Sequence, residues 1–579
     1  MPTIADNAVA ALRANGVTRA YGIPGDSLNG FTEAMRRDGS IEWTLVRHEE
    51  AAAFAAAADA ELTGELAVVL GSCGPGNLHL INGLFDAHRN RVPVLAIAAQ
   101  IPSSEIGSGY FQETHPQNLF QECSLYCEMV SDPQQMPRML ETAMRAAIQQ
   151  RGVAVLVVPG DVAQAEAVDE RVTIIERAHA RVVPQADQLE RAAQLLNSSR
   201  RTTMLVGVGA QDAKEEVLEL ADTLAAPIVH TLRSKQHIEG DNPFDVGLTG
   251  LLGFASGYRA MEEADTILML GTDFPYRQFY PEGTRLIQVD LRGEQLGKRA
   301  PLDLGLVGDV GETVRELLPL LRRNTRRAHL DDAVTHYGRT REKLDDLAVP
   351  TKKGLLRRNE AIHPQYLARV VNEVADDDAI IVPDVGSPVV YAARYVQCHG
   401  DRRVIGSFIH GSMANAVPHA IGAQTAFPER QVITLSGDGG LTMLMGELLT
   451  VRQLDLPIKI VVLNNSSLNF VELEMKAAGL PDFGTGLDNP DFAKVAEAMG
   501  IRGWRVEESG ELEPAVREAF AHDGPALVDV VTDRQELTIP PAISAEQVKG
   551  FTLYALRTVM SGRGDELIDL SRSNLRQIF

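Results

Sequence analysis

Short apolar runs alternate with segments of helical period over most of the chain. In the first third the runs Ala67–Leu70, Val94–Ala98 and Val153–Val158 predict strands; in the middle third, Thr203–Val208, Thr266–Leu270 and Leu286–Val289 do so. The last third adds Ala379–Val382, Val432–Leu435, Ile458–Leu463 and Ala526–Val531. Strands separated by helical stretches build parallel-sheet α/β domains. Charged stretches near residues 165–185 and 341–362 interrupt this rhythm, and the second, around AVPTKKGLLRRNEAIHPQ, reads as a linker. The predicted division is residues 1–178, 182–340 and 363–532, with a linker at 341–362 and a C-terminal tail at 533–579.

The first and third blocks follow one plan. VVLGSCGPGNLHLINGLFDAHRNRVPVLAIAA gives a strand, a Gly-rich turn, a helix, then Val-Pro and another strand. ITLSGDGGLTMLMGELLTVRQLDLPIKIVVLNN repeats that order with Leu-Pro before its last strand. Few residues are identical, so a duplication and two independent βαβ units both fit. A duplication would place a site between paired domains.

At 579 residues the chain exceeds what one core can organise, which suggests three or four domains. A net charge of −23 argues against a nucleic-acid partner held by phosphate contacts. Four cysteines, Cys73, Cys123, Cys127 and Cys398, fit a reducing compartment rather than a disulfide framework. With no basic-then-apolar leader and no apolar run of the roughly 18 residues that span a bilayer, the expected location is the cytoplasm or a membrane surface.

Candidate chemistry concentrates in LSGDGGLTMLMGE, residues 435–447, where a strand opens onto an aspartate among glycines and then a helix. Bare backbone at a helix start suits a phosphate, yet Asp438 would repel one. A divalent cation resolves the conflict by joining the carboxylate to phosphate oxygens. The next strand ends in LNNSSLNF, where the Asn465 amide and the Ser467 carbonyl are candidate oxygen ligands. A Gly-Asp-Gly tight turn is the simpler alternative for the first segment alone. In WTLVRHEEAAAFAAAA, Glu49 and Glu50 both suit the positive end of an Ala-rich helix.

GDG-x(24)-NN, from Gly437-Asp438-Gly439 to Asn464-Asn465, resembles the thiamin diphosphate motif. The likeness extends through HGSMANAVPHAIGA, the Glu49 that follows Arg-His, and GYFQETHPQ. It points to the pyruvate oxidase and acetolactate synthase family. This resemblance implies three α/β domains, binding the aminopyrimidine, FAD and the diphosphate in chain order, plus an amphipathic helical tail. It implies Mg2+ held by Asp438, Asn465 and Ser467. It places the thiamin cofactor against Gly411, Ser412, Met413, Gly439, Gly440, Ser466, Leu468, Asn469, Phe470 and Val471, with Met413 keeping it bent. Glu49, rather than Glu50, would pair with the aminopyrimidine across a subunit boundary and promote the ylide. Phe111 and Gln112 would face the reacting carbon, and Phe470 is a further catalytic candidate.

The middle block matches the dinucleotide fingerprint poorly at GVGAQDA, residues 207–213. LTGLLG, GTDFPYR and LIQVD nevertheless resemble FAD-binding segments of the pyruvate oxidase group, which implies roles for Thr249, Gly250, Leu251, Leu252, Thr272, Asp273, Phe274, Pro275, Tyr276 and Asp290. In DELIDLSRSNLRQIF, Leu567, Ile568, Leu570, Leu575, Ile578 and Phe579 share one helical face, suited to docking on the protein or lying on a phospholipid surface. TGELAVVLGSCGPGNLHLINGLFDAHRN, SEIGSGYFQETHPQ and KGFTLYALRTVMSGRGDE are similar to quinone-linked members of the group. That likeness implies oxidative decarboxylation of pyruvate, electron transfer through FAD to a membrane quinone, and a homo-oligomer, expected to be a tetramer, on the inner face of the cell membrane. Its rivals are an acetolactate synthase, a phosphate-using pyruvate oxidase and a catalytically silent cofactor-binding regulator.

Overall fold

The computed structural model describes residues 1–167, 172–178, 180–350, 362–534 and 536, with Leu553, Tyr554 and Leu570 beyond them. Three six-stranded parallel sheets follow one another along the chain. The first holds β1 (Arg19–Gly22), β2 (Glu42–Leu45), β3 (Ala67–Gly71), β4 (Val94–Gln100), β5 (Tyr126–Met129) and β6 (Val153–Pro159). The second holds β7 (Thr202–Val206), β8 (Ile228–His230), β9 (Asp245–Leu248), β10 (Thr266–Leu270), β11 (Arg285–Asp290) and β12 (Leu304–Val307). The third holds β13 (Ile380–Pro383), β14 (Arg403–Val404), β15 (Val432–Gly437), β16 (Lys459–Asn464), β17 (Arg502–Val506) and β18 (Ala526–Val531).

The first sheet is ordered β2-β1-β3-β4-β6-β5 and the third β14-β13-β15-β16-β18-β17, one topology used twice. The shared plan of the two blocks therefore extends to whole domains. The middle sheet runs β12-β11-β10-β7-β8-β9, the strand order of doubly wound dinucleotide-binding sheets, whose crevice opens at the carboxyl ends of β7 and β10. Every run predicted from the sequence holds a strand; β13 and β16 start one residue later than expected, at Ile380 and Lys459, and β7 ends early. β7 stops at Val206 rather than Val208, because Gly209 N–H donates to the Gly271 carbonyl at 3.0 Å and folds Val208–Ala210 over the end of β10 as a 3-10 turn.

The first and third domains share one core through three helices. In Glu49–Thr63, Ala51 to Ala58 are all buried, including Phe54 among them. Methyl side chains let Pro75–Asn90 and Ala416–Ala426 approach this helix closely. A Cβ added at Gly83 would lie 2.5 Å from Ala53 Cβ, and one at Gly422 would lie 2.0 Å from the Ala55 carbonyl oxygen. These contacts leave no room for a side chain at either glycine.

The linker expected at 341–362 begins too early. Its residues 341–347 belong to the helix Ala328–Leu347, because the apolar side of that helix has somewhere to go. Leu330 packs into the middle-domain core, Leu344 packs against the third-domain core, and Ala348 is buried in it. Arg341 also donates to the Arg394 carbonyl at 2.6 Å. Residues 351–361 lie outside the described residues.

Replacing Gly422 by Ala should destabilise the chain by about 1–3 kcal/mol, the usual range for an overpacked core, as measured by urea unfolding. Unchanged stability would show that the helices can part.

Candidate active site

Asp438 sits where β15 passes into the helix Asp438–Met443, at the carboxyl edge of the third sheet. Its side chain is buried and accepts four N–H donors: Gly439 N at 2.8 Å, Ser466 N at 2.7 Å, Asn465 N at 3.1 Å and Asn489 Nδ2 at 2.8 Å. Burial pushes its carboxyl above the usual carboxylate range, against the pull of those donors. The neighbouring strand end supplies the other half. Asn465 Oδ1 accepts Ser467 N at 3.0 Å, and Ser466 takes a left-handed φ of 56°. Leu468 N donates to the Thr485 carbonyl and Leu487 N to the Ser466 carbonyl, which fastens this loop to the segment after it.

The facing turn, Gly411 to Asn415, is anchored from below. Asp384, fully buried just beyond β13, accepts Asn415 Nδ2 at 3.0 Å and Val385 N at 3.1 Å, and burial pushes its carboxyl up to about 7. A Cβ on Gly440 would lie 1.7 Å from Asp384 Oδ2, so this position requires glycine. From the first domain, Asn82 Nδ2 donates to Ser412 Oγ at 2.9 Å.

These segments border a cavity of about 410 Å3. Asp438, Gly439, Gly440, Asn465, Ser467, Leu468, Asn469, Phe470, Val471, Gly411 and Met413 line it, whereas Ser412 and Ser466 stand behind the wall. Across from them are Leu251, Leu252 and Tyr276 of the middle domain. Arg394 of the third domain holds that side in place, donating to the carbonyls of Leu252 at 3.1 Å and Gly253 at 3.3 Å.

The remaining middle-domain candidates lie off this wall. Thr249 is buried, with Oγ1 lacking a hydrogen-bond partner, and Gly250 has φ 94°. Thr272 Oγ1 accepts Phe274 N, and the Phe274 ring meets Tyr276 edge-on at 5.4 Å. Pro275 lies between those two rings in sequence. Asp273 pairs with Arg91 of the first domain at 3.4 Å. Burial raises the Asp290 carboxyl, while Arg91 and Arg292 draw it down.

Glu49, Phe111 and Gln112 form a separate group. Glu49 is buried at the start of its helix, with His79 Nδ1 2.9 Å from Oε2; the His79 ring stacks on His48 at 4.4 Å. Gln112 has φ 62° and its Oε1 accepts Cys73 Sγ at 3.5 Å, while Phe111 is 78% exposed. Among the described residues, nothing from the first domain lines the cavity within one chain. Sequence reasoning missed Asn489, Asp384 and the cavity-lining Glu474, none of which belongs to a recognisable spacing. Of the tail's apolar face, Leu570 is described and buried; the other members lie outside the described residues.

The donor set at Asp438, Asn465 and the Ser467 carbonyl is all oxygen, which suits Mg2+. The glycine-lined recess beside it suits a diphosphate. The unpartnered Thr249 hydroxyl, the middle-sheet topology and the acidic strand end at Asp290 suit a dinucleotide.

Three family models match the chain. Residues 2–121 match the thiamine pyrophosphate enzyme N-terminal TPP binding domain, 189–317 the central domain and 384–530 the C-terminal TPP binding domain. A putative thiamine pyrophosphate-containing protein, YdaP, of Bacillus subtilis is 38% identical over 97% of this chain and 97% of its own length. Pyruvate oxidase of Lactiplantibacillus plantarum is 30% identical over 90% of this chain and 87% of its own. A probable acetolactate synthase large subunit of Methanocaldococcus jannaschii is 30% identical over 93% of each. With both thiamine pyrophosphate-binding domains matched and the likeness running end to end, the chain belongs to the thiamine pyrophosphate enzyme family, in the group that contains pyruvate oxidase and acetolactate synthase.

Proposed function

We propose that this protein oxidatively decarboxylates pyruvate to acetate and CO2 and passes the electrons through FAD to a membrane quinone. One observation carries the reading: the metal-and-diphosphate loops and the middle-domain loop with Leu251, Leu252 and Tyr276 face a single cavity. A flavin held along the middle sheet would then stand beside the carbon that loses CO2. When bound, thiamin diphosphate supplies the ring that accepts the electrons released on decarboxylation, and FAD takes two of them. The reaction balances as pyruvate plus water giving acetate, CO2, two protons and two electrons.

The chain's own groups position and exclude. Asp438, Asn465 and the Ser467 carbonyl would hold the cation, and the glycines would admit the diphosphate. Met413 supports the cofactor from the side fixed by Asp384. Glu49, at the start of a buried helix, would bring its carboxyl to the aminopyrimidine from a second copy of the chain. This supports a homo-oligomer, since among the described residues the cavity of one chain is walled by the middle and third domains alone. Leu468, Phe470 and Val471 line the cavity and would limit the entry of water to it. We place the tail on a phospholipid surface at the inner face of the cell membrane, where the quinone resides.

A second reading, carboligation of two 2-ketoacids, draws support from acetolactate synthases as similar to this chain as the pyruvate oxidase is. Anaerobic mixing of the purified protein with pyruvate decides between them. Bleaching of bound flavin with stoichiometric acetate is expected; acetolactate with the flavin still oxidised would replace the proposal, and acetyl phosphate would redirect it to a phosphate-using oxidase.

Glu49→Gln should retain both cofactors while pyruvate-dependent dye reduction falls by about 10²-fold or more, the scale of a lost acid–base group. Wild-type turnover would remove Glu49 from the chemistry. Asp438→Asn should abolish uptake of thiamin diphosphate with Mg2+ in titration calorimetry, and full uptake would refute the metal assignment.

A further inference from the structure

Behind the cation-binding loop lies a buried ionic group that the mechanism does not use. Ser467 Oγ donates to Glu472 Oε2 at 2.5 Å. The other carboxylate oxygen accepts Lys476 Nζ at 2.7 Å, and Oε2 also accepts Arg534 Nε at 3.1 Å. The side chains of Glu472 and Lys476 are each 1% exposed, while that of Arg534 is 38% exposed. Arg534 stands beyond the end of β18, outside the sheet that builds the site. Its Nη2 lies 3.7 Å from Asp482, in the segment fastened to the Ser466–Leu468 backbone, and its carbonyl accepts Asn469 Nδ2 at 2.7 Å.

We propose that Glu472, gripped by Lys476 and Arg534, is a positioning residue that aims the Ser467 carbonyl at the cation. The proposal rests on the reading of Ser467 as a ligand alongside Asp438 and Asn465. Mg2+ demands near-octahedral oxygen geometry, so a carbonyl turned away by a few tenths of an ångström binds poorly. Ser466 and Ser467 have no packed hydrophobic side chain to hold them. Asn465 Oδ1 on Ser467 N and the Thr485 carbonyl on Leu468 N hold this backbone from the cavity and loop sides, and the Ser467 hydroxyl adds a tether to a carboxylate that is itself fixed from two sides. A buried ion pair adds little net stability compared with an apolar replacement, so the arrangement is better explained by the geometry it imposes than by the energy it contributes. Supporting groups of this kind typically change metal affinity by about 10–100-fold when removed.

Arg534, being part-exposed, can be removed without leaving a charge buried alone, because Glu472 keeps Lys476. In the full chain stripped of thiamin diphosphate and Mg2+, Arg534→Ala should bind Mg2+, titrated at saturating thiamin diphosphate, about 10-fold more weakly. Its melting temperature without cofactor and its kcat at saturating cofactor should match wild type. Arg534→Lys, which keeps a cation near Glu472, should recover most of the affinity. Wild-type affinity in Arg534→Ala would overturn the proposal, as would a loss that follows a lowered melting temperature or that lysine fails to rescue. Unaltered Mg2+ binding in Asp438→Asn would instead sink the reading beneath it, so the two failures are distinguishable.

Discussion

A carboxylate taken out of water and surrounded by N–H groups is the constraint on which the site depends. Asp438 is held by three backbone amides and the Asn489 carboxamide, and these donors fix its position without neutralising it. Because Asn465 and Ser466 directly follow the strand beside its own, the contact also ties the two strand ends together. The loop that follows bends through a left-handed serine, and Asn465 and Ser467 on either side of it both line the cavity. Charge, loop shape and ligand geometry thus have one origin.

The same economy appears in how the domains meet. Two sheets of identical strand order contribute helices to one shared core, and the alanines of Glu49–Thr63 make that possible. Glu49 is carried at the first turn of a helix with no slack on either side, and His79, from the adjoining helix, sits on its carboxylate. The placement of the acid is therefore a property of the core rather than of a surface loop.

Much of this was legible in the chain. Long, fully buried strands such as β4, β6 and β16 announce themselves as uninterrupted apolar runs, and the coupling of Gly-Asp-Gly to Asn-Asn located the two loops that meet at Asp438. What escaped were strands too short to show a period, among them β1, β8 and β14, which are recognisable only by the neighbours they pair with. Asn489 and Asp384 escaped for a related reason: each acquires its role from a residue distant in sequence, Asp438 for one and Asn415 for the other. The helix Ala328–Leu347 runs into the stretch expected to be a linker, because its exterior is charged and its apolar side is sparse and widely spaced.

That helix has a mechanical meaning. Twenty residues at 1.5 Å each make a rod of about 30 Å. One end is embedded in the middle domain and the other in the third, while Arg341 grips the peptide of Arg394, the arginine that restrains the Leu252 loop. The gap between the two walls of the cavity is consequently gauged by a strut outside it, and a substitution along the strut would alter the spacing of groups it never touches.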